Sequence, residues 1–181
     1  MTDMTERTGE AFEFDEQLTV VGRKLEPGDR APDFELAHLD RSTDAVETVR
    51  LERSTGDVRL LNVVNSLDTP VCRLETRRWE ELRQDLPDGV RVCTVSMDLP
   101  FAQARWCGLE DVEHEALSAH ASEDFGRDYG VLLKEWRLLQ RAVFVIDGDG
   151  VVTYAEYVSD QMREPDYDAA VAAAAAAASG R

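Results

Sequence analysis

Apolar and polar positions fall into blocks that predict most of the elements of this chain. Ala11-Phe-Glu-Phe14 and Leu18-Thr-Val-Val21 flank the polar Asp15-Glu-Gln17 and predict a small β-hairpin. The ten residues before it are polar and predict a flexible N-terminus. The turn cluster Pro27-Gly-Asp-Arg-Ala-Pro32 precedes a short extended piece, Asp33-Phe-Glu-Leu36, and Val46 to Leu51 predicts a further strand inside a charged stretch. Val58-Arg-Leu-Leu-Asn-Val-Val64 is a nearly continuous apolar run of strand length, the pattern of a buried strand. Leu74, Leu82 and Leu86 lie on or near one face of a helix over 73–86, Pro87-Asp-Gly89 stops it, and Val90-Arg-Val-Cys-Thr-Val95 predicts a second strand. This is a β-α-β unit, so the two strands are expected to run parallel with a right-handed crossover.

Beyond it, Asp98 is expected to cap a helix running from Pro100. From Glu113 the pattern predicts a loop, then a helix from Ser122 to Tyr129 that ends at Gly130. Ala142-Val-Phe-Val-Ile146, Asp147-Gly-Asp-Gly150 and Val151-Val-Thr-Tyr-Ala155 read as strand, turn and strand. Pro165 precedes an alanine-rich terminal helix over Ala169–Ala178. Together these predict an α/β fold: an N-terminal β-hairpin and one mixed sheet flanked by helices on both faces, forming a single domain over residues 11–181. The full 181 residues are enough to bury a core without disulfide or metal support.

Charge narrows the partners. A net charge of −17 repels nucleic-acid backbones and anionic membranes alike, so no nucleic-acid or membrane partner is expected. Of the 20 basic residues only Lys24 and Lys134 are lysines. With no apolar leader and no apolar run of membrane-spanning length, a cytoplasmic protein is expected, and there thiols stay reduced. Three cysteines make no disulfide framework, and His38, His114 and His120 show no spacing with them suited to zinc, so neither metal nor cofactor is expected.

The candidate chemistry lies in Asn65-Ser-Leu-Asp-Thr-Pro-Val-Cys72, directly after the buried strand. It puts a thiol where a strand hands over to a helix, whose unpaired N–H groups and positive dipole end favour the thiolate. Cys72 is therefore the candidate nucleophile. Thr69, one tight turn earlier, is expected to accept from an N–H and donate to the thiolate or to a bound oxygen, while Pro70 and Val71 restrict the backbone and shield the sulfur. Lowering a thiol pKa from about 8.5 to about 6 takes roughly 3.4 kcal/mol. A helix terminus supplies at most about 2. An arginine is expected to supply the rest, and Arg73, Arg77 and Arg78 add local positive charge.

Ser66-Leu-Asp-Thr-Pro-Val-Cys72, together with Ser96-Met-Asp-Leu-Pro-Phe-Ala-Gln-Ala-Arg-Trp-Cys-Gly108, resembles the thiol peroxidase branch of the atypical two-cysteine peroxiredoxins. Pro27 to Phe34, Gln140 to Asp147 and Glu164 to Tyr167 carry the resemblance along nearly the whole chain from about Phe12. It implies a thioredoxin-like fold and a homodimer. It implies that Cys72 attacks the O–O bond of a hydroperoxide and becomes a sulfenic acid, and that Cys107 resolves it as an intrasubunit disulfide. Thioredoxin is implied as the reductant that resets the pair. Thr69 and Arg141 match the threonine and arginine that hold the thiolate and the attacked oxygen.

Other readings stay open at this point. Cys93, inside a strand, reads as core filler or as an alternative resolving thiol. The same two cysteines also suit a redox sensor or binding module switched by their disulfide. Phe101, Trp106 and Trp136 suit an apolar approach to the site as well as helix packing. One departure stands out: the family pattern has a proline four residues before the threonine, and this chain has Asn65 there.

Overall fold

The computed structural model describes residues 4–54 and 56–180. Among the described residues the strands and α-helices are, in chain order, β1 (Glu6–Glu13), β2 (Glu16–Val21), β3 (Glu35–Asp40), β4 (Ala45–Arg50), β5 (Val58–Val63), α1 (Pro70–Leu82), β6 (Val90–Ser96), α2 (Pro100–Leu109), β7 (Glu115–Ser118), α3 (Asp124–Asp128), β8 (Leu132–Leu133), β9 (Leu138–Leu139), β10 (Ala142–Ile146), β11 (Val152–Tyr157) and α4 (Tyr167–Ser179). The strands form a seven-stranded sheet in the order β11-β10-β5-β6-β7-β3-β4 and a small sheet in the order β1-β2-β8-β9.

β5 carries the centre of this design. All six of its residues are buried, as its near-continuous apolar run predicts. It pairs in parallel with β6, Leu61 opposite Cys93, and antiparallel with β10, Phe144 opposite Leu61. Alternate residues then feed two cores. Val58, Leu60, Val92, Val143 and Val145 meet Trp79 of α1 and Ala170 and Ala174 of α4 on one face. Leu61, Val63, Val95, Leu117 and Phe144 meet Phe125 of α3 and Tyr129 on the other. The alanine helix packs close because it has little side chain to accommodate, and Asp166 caps it by accepting from Ala169 N at 3.0 Å.

Several expectations need correction. Strand structure reaches into the segment expected to be flexible: β1 starts at Glu6 because its backbone pairs with β2 as far as Glu6 opposite Val21, although its side chains are polar. Residues 1–3 of that segment lie outside the described residues. The expected loop after Glu113 contains β7, which adds a third parallel strand beside β6. β8 and β9 form a hairpin closed by Lys134–Arg137 that the pattern does not predict. Gly130 does stop α3, at φ +63, and a Cβ there would fall 2.2 Å from the Arg23 carbonyl oxygen.

Candidate active site

The chain leaves β5 through Val64, whose N–H donates to Val95 O at 3.0 Å, and enters α1 at Pro70. The first backbone bond of the helix runs from Arg73 N to Thr69 O at 3.0 Å. The Val71 and Cys72 amides lie ahead of it, in the turn that has no intrahelical acceptors. Asp98 fixes the loop between them: it accepts from Ser66 Oγ at 2.7 Å, Leu67 N at 2.9 Å and Ser96 Oγ at 2.7 Å. Its carboxylate is therefore committed across to this loop and does not cap α2, where Leu99 stands at the N-cap without a side-chain bond.

Cys72 is fully buried in this first turn. Arg141, immediately before β10 and 1 % exposed, brings Nη2 to 3.3 Å from its sulfur. The same Nη2 donates to Gln161 O at 2.8 Å, and Arg141 N donates to Gln161 Oε1 at 2.8 Å. Nη1 pairs with Glu75, one helical turn beyond Cys72 and also fully buried. Two elements distant in sequence thus converge on one guanidinium, and Gln161 fixes it from behind. Among the described residues Arg141 Nε and Glu75 Oε1 have no partner.

Burial pushes the Glu75 carboxyl up to about 8, against the opposing pull of Arg141. Burial thus favours the protonated carboxyl, and a protonated Glu75 leaves the guanidinium charge for a Cys72 thiolate. The sign for stability follows. A carboxyl raised from its ordinary 4.5 contributes stability that is complete below about 4.5 and is lost as pH rises through 8. Glu75→Gln keeps the shape of the protonated group. It is expected to stay within about threefold of wild-type peroxidase activity at pH 7, because it keeps the neutral form that burial favours. Thermal unfolding between pH 5 and 8 is expected to fall more steeply in the wild type than in this variant.

The threonine and the nearby arginines behave differently from expectation. Thr69 Oγ1 donates to Ser66 O at 2.9 Å, and the residue makes no side-chain cap. Its proton is committed to the backbone, so toward the thiol it offers lone pairs rather than a donor. Arg73 and Arg77 both pair with Glu110, the latter at 3.6 Å, and Arg78 pairs with Glu81 at 2.9 Å. Their charges tie α1 to the end of α2 or to a neighbouring turn, and leave Arg141 as the guanidinium against the sulfur.

A cavity of about 320 Å³ opens beside this centre. Thr69, Val71, Arg141, Asn65 and Gln161 are among the residues that line it. Phe14 at the tip of the β1–β2 hairpin, Trp136 in the β8–β9 turn, Leu138 and Met162 supply an apolar wall. The small sheet therefore supplies part of the cavity wall, and Trp136 both lines the cavity and packs against Ala11, Leu18, Val20 and Leu133. Phe101 instead is 61 % exposed, and Trp106 packs in a cluster with Cys72, Cys107, Val64 and Val112.

All three cysteines are free. Cys107 is 4 % exposed and lines a separate cavity of about 290 Å³ with His38, Arg41 and His114. Burial pushes its thiol up to about 11. Cys93 is fully buried in the opposite core, 3.5 Å from Arg59 Nη1, and burial likewise pushes it up to about 11 despite that arginine. The histidines do other work: His114 Nδ1 bonds Glu80 at 2.7 Å and Nε2 bonds Thr94 at 2.8 Å inside the sheet-helix interface. Among the described residues no group of histidine, cysteine and carboxylate is placed to hold a metal ion, and no helix is long and apolar enough to cross a membrane.

Sequence reasoning missed Glu75 and Gln161. Glu75 had a signal, since Cys72, Glu75 and Trp79 share one buried helical face and a carboxylate there demands a partner. Gln161 had none, lying in an irregular segment after β11.

A thioredoxin-like sheet with a buried thiol under a guanidinium at a strand-to-helix junction defines a class of thiol-chemistry proteins. The chain belongs to the Redoxin family, whose model matches residues 26–171. It is similar to the thiol peroxidase of Halalkalibacterium halodurans, 48 % identical over 161 residues, covering 88 % of this chain and 93 % of that one. The thiol peroxidase of Bacillus subtilis is 45 % identical over 160 residues, with 88 % and 92 % covered. Among solved structures, a peroxiredoxin-like protein from Aquifex aeolicus superposes with a TM-score of 0.81 at 32 % identity, covering 94 % of this chain and 98 % of that one. The chain is an enzyme, a peroxidase of the peroxiredoxin type.

Proposed function

We propose that the protein reduces hydrogen peroxide and organic hydroperoxides through Cys72. The observation that carries this reading is the 3.3 Å contact of the buried Cys72 Sγ with Nη2 of Arg141, a residue that itself lines a mostly apolar cavity. The thiolate attacks the terminal oxygen of ROOH. The O–O bond breaks, the sulfur becomes a sulfenic acid, and the leaving alkoxide takes a proton to depart as ROH or water. Arg141 supplies donors where negative charge passes from sulfur to oxygen, and Thr69 presents lone pairs to the hydroperoxide O–H.

Cys107 then attacks the sulfenic sulfur, giving the Cys72–Cys107 disulfide and water. A disulfide needs Cα atoms within about 4.4–6.8 Å, and its reduction by an external dithiol needs an exposed sulfur. Both thiols are buried, so the first turn of α1 or the end of α2 opens for this step; the Arg73 and Arg77 pairs with Glu110 are the surface ties that must yield. Thioredoxin reduces the disulfide by exchange, in the cytoplasm, and the working unit is a homodimer. Cys107 packs in the same cluster as Cys72 whereas Cys93 lies in the other core, which favours Cys107 as the resolving residue.

Turnover tests the reading. With thioredoxin, thioredoxin reductase and NADPH, the protein is expected to consume many equivalents of tert-butyl hydroperoxide and of hydrogen peroxide. A single equivalent consumed, followed by arrest with fully active reductants, would favour a disulfide-switched sensor or binding module instead.

A further inference from the structure

Asn65 stands where the family resemblance calls for a proline, and its side chain is engaged rather than idle. Its Nδ2 donates to Leu139 O at 2.6 Å and to Gln161 Oε1 at 3.0 Å. The orientation of the amide is determined by its partners: Leu139 O is a carbonyl, and Gln161 Oε1 already accepts from Arg141 N at 2.8 Å. Only an NH2 group satisfies both. Asn65 is 5 % exposed, Gln161 and Arg141 1 % each, so these bonds are made where an unsatisfied polar atom is costly.

Gln161 is the residue through which this matters. Its Nε2 donates to Val158 O at 2.8 Å and Ser159 O at 3.1 Å, and its backbone N donates to Phe12 O at 2.9 Å. Its two oxygens hold Arg141 at both ends, one at the backbone and one at the Nη2 that also reaches Cys72. Asn65 is the link between this assembly and the loop that carries Thr69 and Cys72. A proline has no donor with which to make that link.

We propose that Asn65 is a positioning residue for the peroxide-reducing site: through Gln161 it sets Arg141 against Cys72, doing by hydrogen bonds what a proline could do only by bulk. The inference rests on the reading of Cys72 and Arg141 under Proposed function. It also implies that the proline of the resemblance cannot simply be restored in this chain.

The test compares wild type, Asn65→Ala, Asn65→Pro, Gln161→Ala and the Asn65→Ala/Gln161→Ala double variant. Rates of Cys72 oxidation by tert-butyl hydroperoxide are measured over a range of pH, with thermal unfolding alongside. Each single variant is expected to react about tenfold more slowly, the worth of one buried hydrogen bond. The double variant is expected to be no slower than Gln161→Ala, because both act through one link. The pH profile of the rate is expected to move with the loss. Asn65→Pro at or above the wild-type rate, fully multiplicative losses, or lower thermal stability with unchanged rates would each overturn the inference. A wild-type protein that does not react would instead sink the proposed function, so the two failures are distinguishable.

Discussion

Arg141→Leu is expected to lower the rate constant for Cys72 oxidation by about 10³-fold, within the range of losses seen when a preorganised donor to a developing anion is removed. The leucine leaves no cation at the sulfur: Arg73 and Arg77 are held by Glu110, and Arg78 by Glu81. Folding is expected to survive, because burial already favours protonated Glu75, so no charged carboxylate need be stranded. Arg141→Lys separates charge from geometry. One ammonium cannot span Cys72, Glu75 and Gln161 O at once, so it is expected to restore only part of the loss. Stopped-flow tryptophan fluorescence is suited to the measurement, since Trp106 packs in the same cluster as Cys72.

Cys72→Ser is expected to abolish turnover, with residual activity below about 10⁻⁴ of wild type, because a hydroxyl is scarcely ionised near neutrality and an alkoxide gains no stable product from an O–O bond. The substitution is nearly isosteric, and its other contacts are packing in one apolar cluster, so unfolding should move little. The thioredoxin-coupled assay reads the loss directly. Turnover surviving in this variant would mean that Cys93 or Cys107 is the nucleophile.

Much of this was legible in the sequence because its signals are local. The nearly continuous apolar run that becomes β5, the Pro-Asp-Gly stop and the Pro-Val-Cys turn each declare themselves within a few residues, and together they give the β-α-β unit and Cys72 at its junction. What was not legible depends on distant partners. β7 is four residues long and becomes a strand by pairing with β6; β8 and β9 have two residues each, too few to show a period. The polar N-terminal half of β1 is strand because β2 is there to pair with it.

The site divides in the same way. Cys72 and Thr69 sit within one turn of each other, and Arg141 came from the motif around Gln140 to Asp147. The bond from the Thr69 hydroxyl to Ser66 O, three residues back, was not foreseen, because the backbone there competes for its proton. Asp98 was read as a cap for the following helix, yet the Ser66–Leu67 loop across the strand ends takes both its oxygens. Gln161 and the orientation of Asn65 exist only once the segment after β11 folds back beneath β10, a contact across 96 residues for the Asn65–Gln161 bond.

The central claim is that Cys72 meets the peroxide and Cys107 resolves it. Peptide mapping by mass spectrometry, after the reduced protein receives one equivalent of hydroperoxide and remaining thiols are blocked, tests it most directly. The expected product is a single disulfide joining the peptides of Cys72 and Cys107, with Cys93 recovered as a blocked thiol. A disulfide that includes Cys93, or oxidation that leaves Cys72 a free thiol, would contradict it.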